Sequence, residues 1–166
     1  EFSLLGGLSL SGDIYVSGDL VLDGTTNLTG AKTLIVDGSV TIKGNIAYAG
    51  STASNQIPYL KIIADNIYID KAVSQIDGQF VAYPRSASDG MIDTCSGTGA
   101  NGAWGAALTL DSCNRRLVVN GSLTARRVLW KGTQGTVGDK AGGVFDAGCH
   151  YTNGASGCAA EYVNFS

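Results

Sequence analysis

Apolar and polar positions alternate in short bursts along this chain, and the bursts repeat. One pattern occurs four times: an apolar, any, apolar triplet, then three turn-forming residues, then a second such triplet. The first copy is Ile14-Tyr15-Val16, Ser17-Gly18-Asp19, Leu20-Val21-Leu22. The second is Leu34-Ile35-Val36, Asp37-Gly38-Ser39, Val40-Thr41-Ile42. The third is Lys61-Ile62-Ile63, Ala64-Asp65-Asn66, Ile67-Tyr68-Ile69, and the fourth is Leu117-Val118-Val119, Asn120-Gly121-Ser122, Leu123-Thr124-Ala125. Period-two alternation turns one face of a short strand toward a core. The middle corner residues are Gly18, Gly38, Asp65 and Gly121, types that accept the positive φ a sharp corner often requires. In the third copy Lys61 stands where the others have Ile or Leu, and Leu60 is expected to replace it through a bulge or register shift.

The copies begin at residues 14, 34, 61 and 117, so the intervals are 20, 27 and 56. The last interval predicts a degenerate unit inside it. Gln79-Phe80-Val81-Ala82 and Met91-Ile92-Asp93-Thr94 are the candidates, with Ala107-Leu108-Thr109-Leu110 behind them. A two-strand unit recurring at this spacing reads as one turn of a β-solenoid, whose inward side chains stack into a continuous core. The expected fold is all-β: a right-handed parallel β-helix with irregular loop insertions and capped ends. It forms one domain over 1–166, with an N-terminal cap or edge at 1–12, helical turns over 13–130, and a Gly-rich loop and cap strand over 131–166. Insertions are expected at 44–58, 83–89 and 96–105, and the stretches 2–10 and 161–165 are expected to cover open strand edges at the two ends. A β-sandwich is the competing fold. Its hairpins favour two-residue turns between longer strands, whereas here the strands are short and one corner recurs.

Composition narrows the function. The 166 residues suit one domain. Hydrophobic residues at 44% fit a globular chain, and charged residues at 15% are sparse. The 24 glycines follow no collagen period. Net charge is −3, and the only dense basic spots are Arg115-Arg116 and Arg126-Arg127, so no nucleic-acid partner is expected. No apolar run is long enough to span a bilayer, and no signal peptide is visible. No membrane insertion is therefore expected within this segment. The chain starts with Glu1, as expected of a processed form or a fragment, from which any export signal or anchor could have been lost upstream.

Four cysteines, Cys95, Cys113, Cys149 and Cys158, allow three pairings. The favoured set joins Cys95 to Cys113, stapling the base of the 96–105 insertion, and Cys149 to Cys158, closing the loop around His150. Both bonds imply an oxidising compartment; the alternative is four free thiols. No C-x-x-C pair suggests zinc. His150 is the one histidine, and no G-x-S-x-G elbow accompanies it. The aspartates sit mostly beside corner glycines, where Asp forms turns. Asp93, Asp111, Arg116 and Arg126 are the set that could converge on one face for polysaccharide cleavage. No catalytic residue, cofactor or metal ligand is expected. Tyr15, Tyr68, Thr41 and Thr124 fall at outward positions, and a column of Tyr and Thr on a flat sheet suits a sugar or a protein face. The bland account of the same residues is that Tyr and Thr favour solvated strands.

The stretch from Gly12-Asp13-Ile14 to Gly44-Asn45-Ile46 resembles bactofilins, small β-helices that polymerise end to end. Bactofilins are cytoplasmic and lack these cysteines, so their location is not carried over. The segments 57–67, 90–95, 113–121 and 160–166 are similar to uncharacterised β-rich surface proteins of ultra-small symbiotic bacteria. That resemblance implies a surface location and supports the Cys95–Cys113 pairing; it implies no activity. The expected function is a non-enzymatic extracellular or cell-surface module that adheres or stacks into a filament or layer. Its partners would be copies of itself, other surface proteins or glycans, and a carbohydrate-binding or carbohydrate-cleaving β-helix is the alternative.

Overall fold

Alternation decides where the strands lie, and the register decides what they pair with. The computed structural model describes residues 2–5, 12–28, 30–49, 58–98, 104–106, 113 and 115–131. One seven-stranded sheet runs β1 (Phe2–Leu5), β3 (Leu20–Asp23), β6 (Ser39–Ile42), β9 (Asn66–Asp70), β11 (Met91–Thr98), with β12 (Trp104–Ala106) and β14 (Arg127–Leu129) both on β11. The second runs β2 (Gly12–Ser17), β5 (Ala31–Asp37), β8 (Tyr59–Ala64), β10 (Gln75–Ala82), then β7 (Ile46–Tyr48) and β4 (Thr26–Leu28), with β13 (Val118–Ala125) also on β10. Among the described residues every pairing is parallel except that of β11 with β12. Parallel neighbours need a crossover, and here a strand of the other sheet supplies it. The antiparallel sandwich is thereby excluded.

In-register rows make the core. Leu20, Val40, Ile67, Ile92 and Val128 are successive partners across the first sheet. Ile14, Leu34, Ile62, Phe80 and Leu123 are successive partners across the second. The middle members of both rows are fully buried, whereas Ile14, Leu123 and Val128 in the outermost strands are only partly so. Each fully buried side chain contributes about 1.5–3 kcal/mol. The core is therefore strongest at the centre of the sheets and opens toward both ends.

Three sequence expectations shift. Ile62, not Lys61, shares a row with Leu34, while Lys61 pairs with Thr33 on the outer face. Only Asp65 and Asn66 separate the buried Ala64 and Ile67, so the third corner is one residue shorter and Leu60 makes no bulge. The fourth copy lies one corner earlier than the others. Asn120-Gly121 pairs with Asp77-Gly78 inside a continuous β13, and Arg126 holds the position between the two sheets that Gly38, Asp65 and Gly90 hold earlier in the chain. Two of the expected insertions also carry strands, since 44–58 contains β7 and 96–105 contains part of the β11–β12 hairpin. The candidates at 79–82 and 91–94 do form β10 and β11, whereas 107–110 and the expected cap strand at 161–165 lie outside the described residues.

At Gly78, β10 changes partners. Ile76 pairs with Ile46 of β7, and Gln79 to Ala82 pair with Lys61 to Ala64 of β8. Gly78 and Gly121 adopt φ of +143° and +152°, and a Cβ on Gly121 would overlap the Gly78 carbonyl oxygen. Two stacked glycines are what this tight corner admits.

Candidate functional site

The two sheets differ on their outer faces. In the first, Val21, Thr41 and Asp93 are buried although they alternate with the inward row, so both faces are covered there. In the second the outer face is open. Tyr15, Ile35, Ile63, Val81 and Thr124 are successive register partners across five strands, a row about 19 Å long at the usual strand spacing. Tyr15 is 63% exposed and Ile35 37%, large values for apolar side chains on a sheet. A polar row runs beside it: Asp13, Thr33, Lys61, Gln79 and Ser122.

Two tyrosines are anchored by their hydroxyls. Tyr15 Oη donates to Asp37 Oδ2 at 3.1 Å, and Tyr59 Oη donates to Gln79 Oε1 at 2.8 Å. Each ring is held in one orientation while a large part of it meets solvent. Fixed aromatic surface flanked by amide, hydroxyl and charged groups stacks on sugar rings or on the apolar face of a protein.

Charges gather at the corner beside this face. Arg85 bridges Asp37 through Nη1, and its Nε lies 2.9 Å from Asp65 Oδ1. That second approach is an ion pair without hydrogen-bond alignment, and Asp65 Oδ1 has no hydrogen-bond donor. Burial, followed by repulsion from Asp89 and Asp19, pushes the Asp65 carboxyl above its ordinary range. Asp89 is held low, first by the Ser86 side chain and then by Asn66, whose Nδ2 donates to Asp89 Oδ1 at 3.2 Å.

Two buried carboxylates organise the later strands. Asp93 is 2% exposed; its Oδ2 lies 2.7 Å from Lys131 Nζ and its Oδ1 accepts the Cys95 amide at 3.1 Å. Thr94 Oγ1 donates to the Leu129 carbonyl at 2.9 Å and accepts the Lys131 amide at 2.8 Å. Together these bonds fasten the chain leaving β14 onto β11. Asp93 also pairs in register with Tyr68, whose phenol is pushed up by burial first and by the Asp93 charge next. Asp77 accepts from the Tyr48 amide at 2.8 Å, from Gln75 Nε2 at 2.9 Å and from Asn120 Nδ2 at 2.8 Å.

The sequence candidates divide accordingly. Cys95 and Cys113 form a disulfide with Cα atoms 5.8 Å apart, while Cys149, Cys158 and His150 lie outside the described residues. The acid and arginine set does not assemble: Asp93 is buried against Lys131, Arg116 and Arg126 are exposed, and Asp111 is outside the described residues. Arg126 Nη2 instead donates to the Ala87 carbonyl. The Tyr and Thr column splits in two. Tyr15 and Thr124 share the open row, whereas Thr41 and Tyr68 pair with each other on the covered sheet. Sequence reasoning missed Ile35, Ile63 and Val81, which complete the row. Their signal was their central position in the apolar triplets 34–36, 62–64 and 80–82, where an apolar residue on the outward side is unneeded for the core.

Among the described residues no cluster of three or more His, Cys, Asp or Glu is arranged to hold a metal ion, and no helix is long and apolar enough to cross a membrane. No protein-family model, curated protein or solved structure matches this chain.

Proposed function

We propose that this chain winds as a right-handed parallel β-helix and serves as a non-enzymatic structural or adhesive module at a cell surface or outside the cell. The parallel registers support the winding, since each strand meets the strand of the next repeat and the chain visits the other sheet in between. The Cys95–Cys113 disulfide supports an oxidising compartment. The observation that carries the adhesive role is the outward row of Tyr15, Ile35, Ile63, Val81 and Thr124, in which Tyr15, Ile35 and Thr124 are exposed and Ile63 and Val81 half-buried. A stiff sheet that spends apolar side chains on its solvent face presents a preformed docking surface. Among the described residues the sheets also end in strands paired on one side only, which favours stacking with further copies. Nucleic acid and membrane insertion have no part in this reading.

Adhesion of the immobilised protein to whole cells tests it. Tyr15→Ser with Ile35→Ser removes the two exposed large side chains of the row and should reduce capture about tenfold, with the fold intact by circular dichroism. Undiminished capture would remove this face from the function, and release of reducing ends from a polysaccharide would overturn the non-enzymatic part.

A second reading, carbohydrate binding, is favoured by the anchored rings of Tyr15 and Tyr59 beside Asp37 and Gln79. A glycan array separates it from protein adhesion: saccharide binding that falls with Tyr59→Ala supports it, and a blank array removes it.

A further inference from the structure

We infer that the outward row of Tyr15, Ile35, Ile63, Val81 and Thr124 binds an extended, uncharged, β-linked glycan laid across the strands, with one sugar ring on each strand. The inference deepens the carbohydrate reading given above and rests on it.

Spacing sets the match. These side chains are successive register partners on β2, β5, β8, β10 and β13. They recur at the strand spacing, about 4.8 Å. A pyranose ring in an extended β-linked chain advances by nearly the same length. Each ring therefore meets one side chain of the row, and its C–H face packs on apolar or aromatic surface. Hydroxyls at the ring edges reach sideways. On one side they meet the polar row Asp13, Thr33, Lys61, Gln79 and Ser122. On the other they meet Ser17 and Asp37, which pair in register two positions beyond Tyr15 and Ile35.

The row is shaped before any ligand arrives. Ile35, Ile63, Val81 and Thr124 are β-branched and therefore stiff at χ1. The exposed ring of Tyr15 is tied through its hydroxyl to Asp37, and that of Tyr59 to Gln79 in the polar row. Ordering these side chains on binding therefore costs little entropy.

Size and charge select this occupant. The row and its two polar flanks cover about 19 Å across the strands and about 13 Å along them, about 250 Å² of sheet. Set face to face on a second copy or a rigid protein, that area buries about 500 Å² in total, whereas a stable protein interface buries at least about 1,200 Å². A single glycan chain uses the whole of it. The charged side chains in and beside these rows balance, with Asp13, Asp37 and Asp65 against Lys61, Arg85 and Arg126. Arg85 bridges Asp37 and Asp65, and Arg126 donates to the Ala87 carbonyl. An acidic polysaccharide calls for an excess of base along its path, and this face has none.

Isothermal titration calorimetry of the full, disulfide-bonded chain with cello-oligosaccharides, from the disaccharide to the hexasaccharide, tests this. Affinity should rise with each added sugar, at least about tenfold in all, and level off at the pentasaccharide. Tyr15→Ser removes the stacking surface on β2 and should move the plateau to the tetrasaccharide, with circular dichroism unchanged. Ile63→Lys puts a charge in the middle of the row and should abolish the dependence on length. Equal affinity for the disaccharide and the pentasaccharide overturns the inference and leaves carbohydrate binding standing at a smaller site. Binding that ignores Tyr15→Ser overturns it too, and moves the saccharide to another surface. Tighter binding of hyaluronan than of the hexasaccharide overturns the uncharged class. If no saccharide binds, the inference and the carbohydrate reading fall together. Cell capture that still drops in Tyr15→Ser with Ile35→Ser would then keep the adhesive face for a protein partner.

Discussion

Lys131→Met should be among the most damaging single substitutions at a position that is not itself part of the core. Lys131 neutralises Asp93, which is 2% exposed and also accepts the Cys95 amide. Removing one partner of a buried ion pair costs about 3–5 kcal/mol, because the remaining charge is left in a poor solvent. The Lys131 side chain is 20% exposed, so water reaches part of the site and the lower figure, about 3 kcal/mol, is expected. Against a total stability of about 5–15 kcal/mol, that is a large fraction. Urea unfolding monitored by circular dichroism would read it as a fall in midpoint at constant slope. Adding Asp93→Asn removes the stranded charge while keeping an oxygen for the Cys95 amide. The double variant should therefore regain about half of the loss. A loss below about 0.5 kcal/mol for Lys131→Met would mean that the pair behaves as a surface salt bridge. A double variant less stable than Lys131→Met would refute the stranded-charge argument.

Gly121→Ala should lower stability by about 2–3 kcal/mol, more than Gly18→Ala at about 1–2 kcal/mol. Both have positive φ, but only Gly121 would drive a Cβ into a neighbouring carbonyl; the reverse order in thermal unfolding would sink the stacked-glycine corner. Asp89, with its carboxyl held below the ordinary value of 3.8, contributes stability that is present above that value and lost as pH falls through its lower folded value. Asp65, with its carboxyl raised, works in the opposite sense, gaining as it protonates. Melting temperatures between about pH 5 and about pH 2 should therefore fall less steeply in Asp89→Ala than in wild type, and parallel slopes would contradict the assignment.

The strands were legible because their information is local. Leu34-Ile35-Val36 alternates whatever it pairs with, and β5 follows from it. Corners were harder. Asn120-Gly121-Ser122 differs from Asp37-Gly38-Ser39 only in Asn for Asp, yet it serves a different corner, and the pairing with Asp77-Gly78 reveals which. Outward positions were harder still, because alternation says that a side chain leaves the core and not what it meets afterwards. Tyr15 and Tyr68 carry the same signal; one faces solvent and the other a covered sheet. Asp93 reads as a candidate catalytic acid in the sequence because its chain neighbours give no hint of Lys131, 38 positions later. Arg85 likewise reaches back to Asp37 and Asp65 from a turn with no recognisable motif.

The disulfide has a mechanical meaning. Cys95 and Cys113 are 18 positions apart in the chain but 5.8 Å apart between Cα atoms. Tension applied along the backbone passes through the sulfur atoms and bypasses the residues between them. About 55 Å of extensible contour is thereby withheld, at about 3.4 Å per residue. A molecule that tethers surfaces under flow yields less length before it yields its fold, and reducing conditions restore that slack without any change in sequence.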